Sequence, residues 1–156
     1  MKTILEVLVN DRPGVLDRIV GLIRRRSWNI NSLTAGDLGS GLSQITLLLE
    51  GRDVDIASLG EYLSELDAVQ QWQELTEETH MLRELLLFTV PDAGREAALR
   101  RGARMLATQD GVTAFEYTDV PSQVDEYVKL LRAEGVHCLR SGPLPLIARE
   151  GDAADA

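Results

Sequence analysis

Apolar residues run almost without a break from Ile4 to Val9, then recur at Val15, Leu16, Ile19, Val20, Leu22 and Ile23. The first pattern predicts a strand over residues 3–9 and the second a helix over 13–26. Between them lies Asn10-Asp11-Arg12-Pro13-Gly14, a sharp strand-to-helix corner. Asp11 is placed to cap the helix, Pro13 suits its first turn, and Gly14 removes the side chain that would shield the free N–H groups. Such a helix end accepts a small carboxylate. Trp28-Asn29-Ile30-Asn31 forms a second polar-tipped corner where the helix gives way to the next strand, and the two corners are expected to meet around one small polar molecule.

Residues 29–35 and 42–50 read as paired strands joined by Gly36-Asp37-Leu38-Gly39-Ser40-Gly41, with Ile45, Leu47 and Leu49 on one face. Asp53 is placed to cap a helix carrying Ile56, Leu59, Leu63 and Leu66, and residues 69–75, with Trp72, supply a last strand. The order β-α-β-β-α-β is the ferredoxin-like arrangement, an antiparallel sheet with both helices on one face. Its strands are apolar at alternate and intervening positions alike, so the second sheet face is expected to be covered too, most economically by a dimer partner.

Residues 76–80 are polar enough for a linker, after which a strand pattern resumes over 82–90. Pro91, Asp92 and Gly94 turn the chain into a helix expected over 95–107. Gln109-Asp110-Gly111 turns it into a strand over 112–117, and Asp119 with Pro121 opens a helix that ends before Gly135. A short strand over 136–139 follows. The fold class is therefore α+β. The expected domains are residues 1–76, a linker at 77–81, a second α+β domain over 82–150, and a small acidic tail from Gly151 that frays.

The chain has 156 residues, 44% of them hydrophobic, and a net charge of -9. That charge argues against nucleic acid and anionic membranes, which would repel it. No apolar stretch nears the roughly 20 residues needed to span a bilayer, and the first residues read as a strand rather than a signal peptide, so a cytosolic location is expected. Cys138 is the only cysteine, which excludes an internal disulfide; beside Val136 and Leu139 it reads as a small apolar filler. Arg24, Arg25 and Arg26 complement the negative end of the first helix and read as a solvated helix end.

Catalytic machinery is hard to find in this sequence. His80 and His137 lie in different segments with no Cys or His at ligand spacing, so no zinc site is expected. Gly36, Gly39 and Gly41 lack the lysine and the helix of a phosphate loop. RNA recognition would require aromatics on the central strands, and residues 42–50 contain none; metal shuttling would require a CxxC where Asp11 to Gly14 stand. What remains is the corner itself. A free amino acid needs N–H donors for its carboxylate, acceptors for its ammonium and an apolar pocket for its side chain. Backbone amides at Gly14 and Val15 would bind the carboxylate. Asp11 and Asn29 would bind the ammonium, and Val15, Leu16 and Ile30 would line the pocket. The same residues also fit a purely structural role, with Asp11 as cap and Asn29 as turn.

The run from Leu8 to Leu16, followed by Arg26-Ser27-Trp28-Asn29-Ile30-Asn31-Ser32-Leu33-Thr34, resembles the ACT domain of acetolactate synthase regulatory (small) subunits. His80-Met81-Leu82-Arg83-Glu84-Leu85 resembles that family's junction between its two domains, and Arg140-Ser141-Gly142 its closing strand. The resemblance implies a non-catalytic subunit that dimerises through ACT domains, binds and activates the catalytic subunit, and imparts feedback inhibition by valine or a related branched-chain amino acid. Thiamine diphosphate, magnesium and FAD are then expected on the catalytic subunit, with no cofactor in this chain. The effector positions carried over are Asp11, Gly14, Val15, Asn29 and Ile30, at the interface of two ACT domains; many relatives have Asn in place of Asp11. Between Met105 and Val120 the family fits two strands, whereas the sequence pattern leaves room for one, so the second domain is expected to be abbreviated. A stand-alone ACT-domain amino-acid sensor is the alternative reading.

Overall fold

A computed structural model describes residues 2–26, 28–51 and 55–146. They form two compact units, one of residues 2–81 with Pro145 and Leu146, the other of Leu82–Leu144; the outer ends of the first and last strands of the second sheet fall outside the second unit but belong with that sheet. In the first unit, β1 (Lys2–Asn10), α1 (Val15–Arg25), β2 (Asn29–Gly39), β3 (Leu42–Glu50), α2 (Ile56–Ser64) and β4 (Val69–Leu75) follow in order. The antiparallel sheet runs β2-β3-β1-β4, which places the first strand inside and leaves β2 on an edge. Leu5, Val7 and Val9 of β1 and Ile45, Leu47 and Leu49 of β3 point to the helices, where Val15, Ile19, Ile23, Leu59 and Leu63 meet them. Each of these fully buried side chains is worth roughly 1.5–3 kcal/mol over an exposed one, so this contact is the main cohesion of the unit.

Two local devices fix its shape. The β2–β3 connection is tighter than the glycine run suggests: Gly39 pairs with Leu42, and only Ser40 (φ 56°) and Gly41 (φ 74°) turn the chain. Positive φ at both positions is the two-residue hairpin geometry that matches strand twist. Glycine is required at position 60, because a Cβ there would lie 1.8 Å from the Trp72 ring. Trp72 in turn donates its indole N–H to Ser64 Oγ at 3.1 Å, which locks β4 under α2. Asp53 lies outside the described residues; the cap of α2 is Asp55, whose carboxylate accepts the Ser58 N–H at 3.1 Å.

The second unit contains β5 (Met81–Pro91), a single 3-10 turn (Asp92–Gly94), α3 (Arg95–Arg100), β6 (Arg104–Gln109), β7 (Val112–Asp119), α4 (Pro121–Ala133), β8 (Cys138–Arg140) and β9 (Leu144–Leu146). Here the expectations are corrected. The helix expected over 95–107 stops at Arg100, because Gly102 takes φ 86° and ends it. Asp110 and Gly111, both at positive φ, form a two-residue hairpin turn between β6 and β7. Two strands therefore occupy the stretch where one was expected, and the element order is a full β-α-β-β-α-β rather than an abbreviated one. The sheet order β6-β7-β5-β8, with β9 pairing β5, repeats the second-third-first-fourth order of the first unit. Its core centres on aromatic rings: Phe88 stacks on Phe115 at 5.7 Å, and Tyr127 meets Phe88 and Tyr117 edge-on at 5.4 and 4.7 Å. Cys138 packs half-buried against this core.

Candidate functional site

The corner after β1 is pinned by its backbone. Asn10 donates its N–H to Ala68 O and Asp11 its N–H to Gly41 O, both at 2.8 Å, which ties the corner to the two neighbouring loops of the sheet end. Residues 11–14 are exposed. Asp11 does not cap α1: the residue at the cap position is Gly14, at φ 86°, and no side chain bonds to the helix start. Only glycine adopts that backbone readily, so every substitution at position 14 carries backbone strain. A Cβ there would meet nothing within 4 Å; the space over the helix start is open.

The donors at this end can be assigned. Val15 donates its N–H to Arg12 O across a long 3.3 Å, and the helix itself offers no acceptor to the amides of Gly14, Leu16 and Asp17. The Val15 side chain packs in the core, whereas Leu16 is exposed. An anion at this end would thus meet several amides, the positive end of a helix dipole and one exposed aliphatic side chain, with the Asp11 carboxylate beside it.

The second corner lies elsewhere. Asn29 opens β2 opposite Glu50, and Lys2 also lies opposite Glu50, so Asn29 stands level with the start of β1. Asn10 stands at the other end of that strand. Eight residues at about 3.3 Å each put the two corners roughly 25 Å apart within one chain. They do not enclose one molecule within a single protomer, because β2 runs parallel to β1 across the intervening β3; the expectation of a site shared by two ACT domains is left to a pair of chains. At the Asn29 end, Asn29 donates to Asn31 Oδ1, and Asn31 Nδ2 donates to Glu50 Oε2 at 2.6 Å. Ile30 packs half-buried against the core. Nearby, Arg26 lies 3.9 Å over the Tyr62 ring and 5.9 Å from Trp28, so it is less free than a solvated helix end.

The second unit contains a charged cluster that sequence reading passed over. The Glu84 carboxylate, 1% exposed, accepts Arg140 Nε at 2.6 Å and Nη2 at 2.8 Å, while Arg140 Nη1 reaches Asp125 at 2.6 Å. The Ser141 hydroxyl accepts the Leu85 N–H at 3.0 Å beside it. The arrangement clamps β5, β8 and α4 together and raises the Arg140 pKa still further through the Glu84 bond, so it reads as a fastening rather than an acid–base pair. A glutamate at an alternate position of the strand, on the face it shares with Leu82, Leu86 and Phe88, is the signal that would have found it. His137 and Cys138 border an apolar groove with Leu87, Leu106 and Leu139, while His80 lies in the turn with Thr76 and Thr79. Among the described residues no group of three or more His, Cys, Asp or Glu is placed to hold a metal, and no helix is long and apolar enough to cross a membrane.

Comparison with known proteins agrees with this architecture. Residues 5–71 match the model of the AHAS small subunit-like ACT domain. The chain is 32% identical over 155 residues to a probable acetolactate synthase small subunit of Archaeoglobus fulgidus, covering 94% of this chain and 97% of that one. It is 30% identical to the acetolactate synthase isozyme 3 small subunit of Salmonella typhimurium, covering 94% and 95%. The acetolactate synthase small subunit of Thermotoga maritima has the same fold, with a TM-score of 0.78 at 22% identity over 96% of this chain and 98% of that one. With near-complete coverage of these relatives and an ACT unit built as described, the chain belongs to the acetolactate synthase small-subunit family.

Proposed function

We propose that this chain is the non-catalytic regulatory subunit of an acetolactate synthase, and that it binds a branched-chain amino acid, valine first, between two protomers paired along β2. The observation that carries the reading is the placement of the two corners at opposite ends of an edge strand. β2 has an unpaired side, and a strand with a free edge is a ready template for a second strand. If two copies pair antiparallel about a two-fold axis, the Asn29 end of one β2 lies beside the Gly39 end of the other. Asp11 is bonded to Gly41 at that same end. The corners separated by about 25 Å in one chain therefore become neighbours in a dimer, twice over.

In that dimer the effector carboxylate meets the amides of Gly14, Leu16 and Asp17, with the Val15 amide as a shared donor. The ammonium lies between Asp11 and Asn29 of the partner subunit, and the aliphatic side chain rests on Leu16 and Ile30 of the partner subunit. An effector held by both protomers stabilises one arrangement of the pair over others by its differential affinity, which is how a remote active site would sense it. The chemistry itself, with its thiamine diphosphate, magnesium and FAD, belongs to the catalytic subunit.

Calorimetric titration with valine, leucine and isoleucine, together with activity assays of a cognate catalytic subunit with and without this chain, tests the proposal. Saturable binding at one site per protomer, raised basal activity and valine-dependent inhibition are expected. Binding without any effect on the catalytic subunit would favour a stand-alone sensor, and no binding by any of the three amino acids would remove the effector site.

A further inference from the structure

Three polar side chains at the Asn29 end of β2 form a directed series of hydrogen bonds. Glu50 accepts from Asn31 Nδ2 at 2.6 Å, and Asn31 Oδ1 accepts from Asn29 Nδ2. A carboxylate has acceptors only, whereas an amide has a donor end and an acceptor end. Glu50 therefore fixes which way round the Asn31 amide lies, and Asn31 in turn fixes Asn29. The last member is left with its nitrogen turned inward and its Oδ1 without a donor among the described residues.

The backbone is shaped for this contact. Asn29 stands opposite Glu50, Ile30 opposite Leu49 and Ser32 opposite Leu48, so Asn31 is an extra residue with no partner on β3. A bulge of this kind on an edge strand re-aims a side chain. Here it lets Asn31 bond both to Asn29, two residues back, and to Glu50 across the strand pair. All three residues are exposed and none belongs to the core, so burial does not account for the arrangement. Lys2, opposite Glu50 on β1, is the charged neighbour on the other side.

We propose that Glu50 and Asn31 are positioning residues for the effector's ammonium group, holding the Asn29 amide so that it presents Oδ1, an acceptor, and not Nδ2, a donor. The inference rests on the effector reading above, in which Asn29 of the partner subunit faces that ammonium. An unfixed asparagine offers either end of its amide, and only one end attracts a cation. A carboxylate one strand away thus sets the polarity of the ammonium site without touching the ligand. In the pairing along β2 this end of the strand lies beside the partner subunit, where less water competes for the same bonds.

The test is calorimetric titration of the full chain with valine, in the wild type and in variants that reverse or cut the relay. E50K offers donors only, which turns Asn31 round and sets Asn29 Nδ2 against the ammonium; affinity is expected to fall by about tenfold or more. E50K/N31D is expected to return to within about threefold of the wild type, because the new aspartate accepts from the new lysine and from Asn29 alike. N31L cuts the relay and frees the Asn29 amide to turn either way, at a cost of about twofold. E50K added to N31L should then cost little more, whereas a plain long-range charge effect would persist in full. Circular dichroism and light-scattering mass are expected to match the wild type throughout; N31K, which satisfies Glu50 but sets a donor against Asn29, replaces E50K should that variant fail to fold. An unchanged E50K affinity overturns the proposal, as does an E50K loss that persists beside N31L or that N31D does not rescue. N29A separates it from the effector reading. Wild-type affinity in N29A, or no valine binding by the wild type, removes the ammonium site and the relay with it, whereas a weakened N29A beside an unaffected E50K removes the relay alone.

Discussion

The two units solve the same corner in opposite ways. In both, the residue just past the first strand is an aspartate, or is followed by one, and that aspartate's N–H is bonded to a hairpin glycine: Asp11 to Gly41 O at 2.8 Å, and Asp92 to Gly111 O at 3.1 Å. Beyond that shared joint they diverge. In the second unit the chain coils at once into the 3-10 turn, Gly94 keeps φ -87°, and the Asp92 carboxylate accepts the Thr113 hydroxyl at 3.4 Å. A Cβ on Gly94 would already touch Val90 at 3.2 Å. In the first unit Gly14 swings to φ 86°, the space above it is empty, and an eleven-residue helix starts with free amides. One topology, with a free edge strand in each unit, thus yields a closed corner in the second and an open corner in the first. The difference teaches that fold alone does not make the site. It takes one glycine in the left-handed region and a helix long enough to have a dipole.

The comparison breaks most severely at the fastening of the second unit. Arg140→Met would leave the Glu84 carboxylate buried without its cation, and removing one partner of such a pair costs about 3–5 kcal/mol. Thermal and urea melts are expected to show that loss, because Glu84 is 1% exposed and water cannot replace the guanidinium. The first unit has a milder counterpart, in which Glu6, also buried, accepts a neutral Gln73 amide at 2.6 Å. A destabilisation below about 1 kcal/mol, the range of surface pairs, would mean the cluster is solvated and the contrast between the units is weaker than drawn.

Substituting the paired glycines sharpens the contrast at the corners. Gly14→Ala forces an L residue into the left-handed region, at a cost of roughly 1–2 kcal/mol, and projects a methyl group into the space proposed for the effector. Valine affinity is expected to fall with it. Gly94→Ala keeps an ordinary helical backbone and only presses on Val90, so its stability should stay within about 0.5 kcal/mol of the parent with valine binding unchanged. Melting curves and calorimetry on both variants check this. Equal effects would show that the open corner has no special role.

Most of the first unit was legible in the sequence because its elements obey one period each: Ile4 to Val9 for a buried strand, Val15 to Ile23 for an amphipathic helix. The second unit was less legible where two signals overlapped. Arg95 to Ala107 contains enough apolar residues to suggest a continuing helix, and Gly102 in its middle has to be recognised as a stop before Arg104–Gln109 emerges as an edge strand. That strand is exposed along its whole length, so it has no buried face from which a strand period can be read. Of the candidate site, residue types were readable but not distances. Asp11 and Gly14 stand together, and Asn29 and Ile30 stand together, yet their separation depends on β3 lying between β2 and β1, which no local pattern encodes. The Asp11 cap failed for a related reason: the choice between Asp11 and Gly14 turns on one backbone angle. Glu84, Asp125 and Arg140 were missed because they are 15 to 56 residues apart and only the β5–β8 pairing and the packing of α4 unite them.

The smallest expected effect concerns the aromatic core that only the second unit has. Burial, with help from the Asp119 carboxylate that accepts its hydroxyl at 2.9 Å, pushes the Tyr117 pKa from 10 up to about 12. A tyrosine whose folded pKa exceeds its unfolded one holds its proton more tightly in the native state, so its contribution is fully present below pH 10 and is lost as pH rises from 10 towards 12. Tyr127, raised in the same direction mainly by burial, adds to the slope. The second unit should therefore loosen in that alkaline window. Near-ultraviolet circular dichroism between pH 9 and 12 would follow the loss, and Tyr117→Phe should move its midpoint upward. A Tyr117→Phe midpoint equal to that of the parent would assign the alkaline transition to Tyr127 or to lysine deprotonation.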